Sequence, residues 1–214
     1  MRPTVKICGF MREEDVHTCI RHGLDIAGFV VEYPHPVPWN LSVDTAKKLI
    51  QAVCKQVETC IVTGGSSDKI IQTAMEIKPT FIQLHNNETL EETAYLVNEL
   101  GKQNIKIIKS LFPNTPNLEQ TAKDFCDTGI HALLFDSRTP DNAANSGAAN
   151  ISTFMKLQSA VNCPVFLAGG INPQNVTEIV SKTKAQFIDL MTGVEYSHGI
   201  KDEKKVIALF KALE

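Results

Sequence analysis

Short apolar runs alternate with amphipathic stretches along the whole chain. Eight of these runs are rich in Val, Ile, Phe and Leu, as is typical of strands that are buried on both faces of a parallel sheet. They predict strands over residues 5–8, 26–31, 58–62, 81–84, 105–109, 132–135, 165–168 and 187–190. In between, apolar residues recur three and four positions apart, which predicts helices. Five of these helices fall near residues 12–22, 43–53, 67–77, 117–126 and 151–161.

The starts of the other three helices are marked by capping residues. Thr89-Leu90-Glu91-Glu92 matches a capping box, in which a threonine and a glutamate satisfy each other's backbone N–H groups. Asn172-Pro173 matches an N-cap followed by proline at the first helical position. Asp202 precedes the last helix as its predicted cap.

Strict alternation of eight strands with eight helices is typical of parallel β–α–β units. Such units build either a closed barrel or an open doubly wound sheet. The count of eight favours closure, and no G-x-G-x-x-G motif follows the first strand to mark a dinucleotide crevice. We therefore predict an α/β protein, a single-domain (β/α)8 TIM barrel over residues 1–214. Gly-, Pro- and Asn-rich patches at 34–42, 113–117 and 139–150 are interpreted as its βα loops.

Composition and charge exclude several other classes of protein. The 214 residues are 43% hydrophobic and 21% charged, with a net charge of -3, as in an ordinary soluble protein. Without a basic face, nucleic acid is not an expected partner. No apolar run is long enough to cross a bilayer, and the first residues do not match a signal peptide. We therefore expect a cytoplasmic protein that has no membrane partner.

The cysteines do not predict a metal site. They stand at positions 8, 19, 54, 60, 126 and 163, with no C-x-x-C motif and no tight Cys/His cluster. In a chain without an export signal, we expect all six to remain thiols, and most of them to fill the core.

Two glycine segments follow the last two strands, at the end of the barrel where such folds carry their chemistry. They are Gly169-Gly170 and Gly193-Val194. Glycine lets the backbone approach a phosphate closely, so that several N–H groups can bind it. The alternative is that Gly169 and Gly170 only make a tight turn into the next helix.

Cys8 and Asp136 end the first and sixth strands, so in a closed ring they flank the glycine segments. A thiol and a carboxylic acid on either side of a sugar phosphate suit proton abstraction from carbon and proton donation to oxygen. Lys6 shares the strand parity of Cys8 and would lie below it in the barrel interior. Its positive charge would lower the pKa of the thiol. Leu134 and Phe135 would keep Asp136 protonated. The alternatives are a core cysteine and an aspartate that caps a turn.

These motifs resemble those of one family, the phosphoribosylanthranilate isomerases of tryptophan biosynthesis, which are single-domain TIM barrels. Lys6-Ile7-Cys8-Gly9 with Arg12 is similar to the family's opening motif. Gln83-Leu84-His85, the segment 167–176 and Gly193-Val194-Glu195 follow in the same order.

The resemblance implies an intramolecular aldose–ketose isomerase. Its Amadori reaction would convert N-(5-phosphoribosyl)anthranilate to 1-(2-carboxyphenylamino)-1-deoxyribulose 5-phosphate, with Cys8 as the general base and Asp136 as the general acid. The substrate, a small phosphorylated sugar amine, would contact the side chains and glycine segments named so far: Lys6, Arg12, Gln83, His85, Gly169, Gly170, Gly193 and Val194. No cofactor or metal is expected, and the chain would act as a monomer or homodimer.

Four loops depart from the family's pattern. The family carries an arginine after the second strand that helps hold the anthranilate moiety, whereas this chain has Val37-Pro38-Trp39-Asn40. The loops at 63–65, 145–150 and 191–192 also differ. Either Arg12 or Arg138 would then meet the substrate carboxylate, or the substrate lacks one. Trp39 would stack on an aromatic ring, cover the mouth or anchor its loop.

Two alternatives to the anthranilate substrate therefore stay open. One is a divergent paralogue that uses the same acid and base on another phosphorylated or carboxylated sugar. The other is a catalytically silent barrel that binds a metabolite.

Overall fold

A computed structural model describes residues 2–53, 55–138 and 150–214. The predicted loop at 139–150 therefore lies outside the described residues except for Asn150. The eight barrel strands are β1 (Thr4–Ile7), β2 (Ile26–Val31), β3 (Glu58–Thr63), β4 (Phe81–Leu84), β5 (Lys106–Leu111), β6 (Ala132–Asp136), β7 (Val165–Ala168) and β8 (Phe187–Leu190). The helices are α1 (Glu13–Arg21), α2 (Val43–Val53), α3 (Ser67–Ile77), α4 (Leu90–Gly101), α5 (Leu118–Asp127), α6 (Ile151–Ala160), α7 (Val176–Thr183) and α8 (Glu203–Ala212).

The eight strands are parallel and close into a barrel. Each strand pairs with the next along the chain, and β1 pairs with both β2 and β8. A two-residue strand, Asn40–Leu41, adds to the end of β2, and a hairpin of Glu195–Ser197 and Ile200–Lys201 follows β8. The predicted (β/α)8 TIM barrel is confirmed as the fold.

Two apolar layers explain why the strands have nearly continuous apolar runs. The larger layer lies between the strands and the helices, where Phe135 on β6 packs near Phe154 on α6. The smaller layer fills the interior of the barrel: Ile26, Cys60, Phe81, Ile108, Ala132, Leu134, Phe166 and Ala168. Because alternate side chains point to opposite faces, each strand needs apolar residues at both parities.

Two of the three predicted helix caps are confirmed. Thr89 and Glu92 form the reciprocal capping box of α4, and Asp202 accepts hydrogen bonds from the first turn of α8. The Asn172 prediction is wrong, because α7 begins only at Val176. The Asn172 side chain instead accepts from the backbone N–H groups of Gln174 and Asn175, which makes a separate turn before the helix.

The expectation of six thiols is also wrong. Cys126 at the end of α5 and Cys163 before β7 form a disulfide, with their Cα atoms 6.0 Å apart. Cys8, Cys19 and Cys60 are free and buried. Cys54 lies outside the described residues.

Within the described ranges, no helix is both long enough and apolar enough to span a membrane. The same residues contain no group of three or more His, Cys, Asp and Glu side chains with the arrangement of a metal site.

Candidate active site

A cavity of about 280 Å³ lies at the carboxyl ends of the barrel strands. Cys8, directly after β1, and Asp136, the last residue of β6, both line it. Gly169, Gly170 and Gly193 line the same cavity from the loops after β7 and β8, the two strands between β6 and β1. The predicted thiol, carboxylate and glycine segments therefore meet in one place.

Cys8 lies deep in this cavity, with only 4% of its surface exposed. Space for its thiol depends on Gly28 of β2, where an added Cβ would lie 2.9 Å from Sγ. Burial raises the pKa of Cys8 above its ordinary value, while the charges of Lys6 and Lys201 pull it down. Lys6 thus acts in the predicted direction, but the expectation that the thiol would be more acidic than usual is wrong, because burial outweighs the charge.

Lys6 is fully buried inside the barrel, where its Nζ donates to Oδ1 of Asp189 at 2.9 Å. Although burial opposes its charge, Asp189 and the two nearby thiols raise the pKa of Lys6 overall. Lys6 does not line the cavity, whereas Asp189 does. Lys6 therefore influences the site through its charge, and its predicted contact with substrate has no support from this geometry.

Asp136 is paired with Arg138, two residues further along the chain. The guanidinium donates from Nε to Oδ1 at 3.1 Å and from Nη2 to Oδ2 at 2.9 Å, and the Arg138 backbone N–H adds a third bond. Asp136 is almost completely buried, while the Arg138 side chain is 37% exposed. Sequence reasoning expected apolar surroundings for Asp136. The structure adds a cation to them, the guanidinium of Arg138.

A neutral polar cluster forms another part of the wall. His85 Nδ1 lies 2.8 Å from Ser110 Oγ and 3.1 Å from Gln83 Nε2. Tyr33 fixes the loop by donating its hydroxyl to the His85 carbonyl. Burial lowers the pKa of His85 to about 4, so its ring is uncharged near neutral pH. Gln83 Oε1 is buried and has no hydrogen-bond partner among the described residues.

The glycines are required by close packing as well as by backbone conformation. Gly169 and Gly170 have φ angles of 98° and 68°, which side-chain-bearing residues rarely adopt. A Cβ added at Gly193 would overlap the carbonyl oxygen of Ile171, so the loops after β7 and β8 lie against each other. Val194 is fully buried outside the cavity lining. Gly169 and Gly170 thus make a tight turn. That turn is compatible with both interpretations of the two glycines, and phosphate binding stays a prediction.

Trp39 anchors the altered loop after β2. Its indole N–H donates to Oε1 of Glu195 at 2.9 Å, and its side chain also lines the cavity. The same carboxylate oxygen accepts from Lys201 Nζ at 2.8 Å, and Lys201 donates again to the carbonyl of Cys8 at 2.6 Å. Sequence reasoning gave no role to Glu195 or Lys201, although Glu195 belongs to one of the motifs that carry the resemblance.

The structure distinguishes between the two arginines that were considered as partners of a substrate carboxylate. Arg12 pairs with Asp15 and Glu14 at the start of α1 and does not line the cavity. Arg138 does line it, and no other lysine or arginine does so in the described parts of the chain. Of the two, only Arg138 is in a position to meet an anion there.

A closed parallel (β/α)8 barrel with titratable side chains gathered at the carboxyl ends of its strands defines the class of TIM-barrel enzymes. The family model described as N-(5'phosphoribosyl)anthranilate (PRA) isomerase matches residues 5–212. The chain belongs to the phosphoribosylanthranilate isomerase family.

Individual relatives agree over nearly their whole lengths. The N-(5'-phosphoribosyl)anthranilate isomerase of Zymomonas mobilis is 30% identical, with 100% of this chain and 99% of the relative covered. The enzyme of the same name from Methanopyrus kandleri is 29% identical over 97% of each chain. The crystal structure of phosphoribosyl anthranilate isomerase from Thermus thermophilus covers 100% of this chain and 98% of its own, with a TM-score of 0.81 and 26% identity. The resemblance and the aldose–ketose isomerase class are confirmed, which disfavours the silent barrel.

Proposed function

We propose that this chain converts N-(5-phosphoribosyl)anthranilate to 1-(2-carboxyphenylamino)-1-deoxyribulose 5-phosphate, with Cys8 as the base and Asp136 as the acid. The observation that carries the assignment is that one cavity joins the thiol and the carboxylate across the glycine loops of β7 and β8. Family membership supports the substrate, and the geometry supports the roles of the two side chains.

The reaction needs one proton donated to oxygen and one removed from carbon. Asp136 gives a proton to the ring oxygen, the C1–O bond breaks, and the nitrogen lone pair forms a C1=N iminium. The Cys8 thiolate then takes the proton from C2. The electrons of that C–H bond form C1=C2, and the C=N π electrons return to nitrogen, giving an enolamine. Solvent then takes the proton of the C2 hydroxyl and gives one to C1, which completes the ketose. Exchange with solvent also returns a proton to Asp136 and removes the one on Cys8.

Groups around the two side chains support these steps. Lys6 and Lys201 favour the thiolate form of Cys8 against the effect of burial. Gln83 and the neutral ring of His85 line the cavity side by side, as polar groups suited to the ribose hydroxyls. Because the iminium accepts the electrons, the two proton transfers suffice for the chemistry.

The deciding experiment is direct turnover of N-(5-phosphoribosyl)anthranilate, followed by loss of its fluorescence. The Thermus thermophilus relative serves as the positive control under the same conditions. We expect turnover by the purified chain and accumulation of the ketose product. Turnover by the relative but not by this chain would contradict the assignment and favour a paralogue with another substrate.

We also propose that the substrate phosphate binds at Gly169, Gly170 and Gly193. Substitution of these glycines is a poor test, because a Cβ at Gly193 would overlap Ile171 and one at Gly169 would crowd Asp136. Inorganic phosphate is the better probe. It should compete with substrate and appear at these glycines in crystals, whereas an anion held elsewhere in the cavity would refute the placement.

A further inference from the structure

We propose that Arg138 exchanges Asp136 for an oxyanion of the bound substrate, and that this exchange frees Asp136 to act as the acid. The exchange rests on the function proposed above, because it requires a substrate that carries a phosphate and a carboxylate. Arg138 then has two partners in the reaction cycle, one in the empty cavity and one in the complex.

The charges of the cavity give the first argument. Among its described lining residues, Cys8, Asp136 and Asp189 are neutral or negative, and Arg138 is the one lysine or arginine. His85 adds no charge near neutral pH, because burial lowers its pKa to about 4. An anionic substrate group therefore meets a single side-chain cation, and that cation is already held by a carboxylate.

The geometry of the pair gives the second argument. Arg138 uses Nε and Nη2 as a fork on the two oxygens of Asp136. The same planar fork fits a carboxylate or a phosphate equally well. Because 37% of the Arg138 side chain is exposed while only 5% of Asp136 is, the guanidinium has room to move and the carboxylate does not.

The chemistry of the acid gives the third argument. To act as the acid, Asp136 must present one of its oxygens to the ring oxygen of the substrate. In the unliganded cavity both oxygens accept N–H groups of Arg138. Once a substrate oxyanion takes over the guanidinium, the two oxygens are released. Substrate binding and release of the acid are thereby coupled through one side chain.

Two substrate groups are possible partners, and both are oxyanions. The glycine segment proposed for the phosphate lies beside the acid, since a Cβ at Gly169 would be 2.8 Å from Oδ1 of Asp136. The aryl carboxylate is the other possibility. Analogues that lack one group at a time distinguish them: N-(5-phosphoribosyl)aniline has no carboxylate, and N-ribosylanthranilate has no phosphate.

The experiment measures kcat and KM for the full substrate and both analogues, in the unaltered protein and in Arg138→Gln. We expect Arg138→Gln to lower kcat/KM for the full substrate by about 10- to 150-fold, the usual effect of losing a charge-assisted contact. The analogue that lacks the partner group should lose a similar factor in the unaltered protein but little more in Arg138→Gln. Such non-additivity identifies the two groups that interact.

For the analogue that lacks the partner group, part of the loss in the unaltered protein must fall on kcat, because Asp136 then stays paired with Arg138. Arg138→Lys, which keeps the charge but not the fork, should recover part of the binding and guards against a misfolded Gln variant. Arg21→Gln, which alters an exposed arginine of α1, is the matched control and should leave all values unchanged.

Unaltered kcat and KM in Arg138→Gln, or fully additive losses for both analogues, would overturn the exchange while the isomerase function stands. Absence of turnover of the full substrate by the unaltered protein would overturn the proposed function itself, and the exchange with it.

Discussion

Lys6 and Asp189 form a buried ion pair across β1 and β8, the two strands whose pairing closes the barrel, with Nζ 2.9 Å from Oδ1. Cys8 lies two residues beyond Lys6, where the cavity begins. The pair thus places a positive charge beneath the proposed base without offering a cation to the ligand. Because both groups are buried, each depends on the other to compensate its charge.

Removal of Lys6 alone should therefore destabilise the fold strongly. We expect Lys6→Met to lower the free energy of unfolding by about 3–5 kcal/mol, because Asp189 is left buried and unpaired. The double variant Lys6→Met with Asp189→Leu should recover most of that loss. Urea denaturation measures both, and equal destabilisation in the single and double variants would contradict the interpretation.

The base and the acid are tested by removing each functional group. Cys8→Ala and Asp136→Asn should each reduce kcat at least about 100-fold, since a general acid or base contributes about 10²–10⁴-fold. Circular dichroism should be unchanged. Cys19→Ala removes a buried thiol of α1, outside the cavity, and is the matched control. Normal turnover in either active-site variant would exclude that residue from the mechanism.

Alkylation of Cys8 should report its raised pKa directly. Only the thiolate reacts, so the rate constant with iodoacetamide rises about tenfold per pH unit below the pKa of the thiol. Because burial raises the pKa of Cys8, we expect the rate constant to keep rising above about pH 8.5, where an ordinary thiol levels off. Peptide mapping identifies the labelled residue, and a plateau near neutral pH would contradict the expectation.

His85 should make stability depend on pH. Its pKa falls from 6.5 to about 4 on burial, so the unfolded chain binds more protons between these values. The contribution of His85 to the free energy of unfolding is therefore fully present above about pH 6.5. It is lost as the pH falls towards 4, and the loss is about 3 kcal/mol in total. Urea unfolding at pH 7 and pH 4 measures the change. His85→Gln should show a smaller change, and an equal one would refute the assignment.

The disulfide should stabilise the protein through its unfolded state. Cys126 and Cys163 are 37 residues apart, and the segment they enclose contains β6 and Asp136. Reduction should lower the free energy of unfolding by about 2–4 kcal/mol, because the unfolded chain regains the freedom of that loop. A Cys126→Ala, Cys163→Ala variant should not respond to reductant. Identical stability with and without reductant in the unaltered protein would contradict this expectation.

The sequence predicts the barrel well because the signal is local. A strand buried on both faces is apolar at most of its positions, so its run of residues is visible without knowledge of its neighbours. The exception at Asn172 has a local cause as well. Asparagine favours both helix caps and isolated turns, and the choice between them depends on where the chain must go next.

The candidate site is less predictable, because its contacts join distant parts of the chain. The positions of Cys8 and Asp136 follow from the ends of their strands. The bond from Trp39 to Glu195 spans 156 residues, and no periodicity reveals it. Disulfide connectivity likewise cannot be read from spacing. The pair of Asp136 and Arg138 is different. Its two opposite charges stand two residues apart at the end of one predicted strand, so the ion pair could have been predicted from the sequence.

The contact between Lys201 and the Cys8 carbonyl joins residues that are 193 positions apart. It adds a positive charge that favours the thiolate, and it fixes the backbone on which the thiol stands. A ribosome adds Cys8 long before it adds Lys201. During translation, the proposed base therefore acquires its final surroundings only after the 193 residues that follow it have been added.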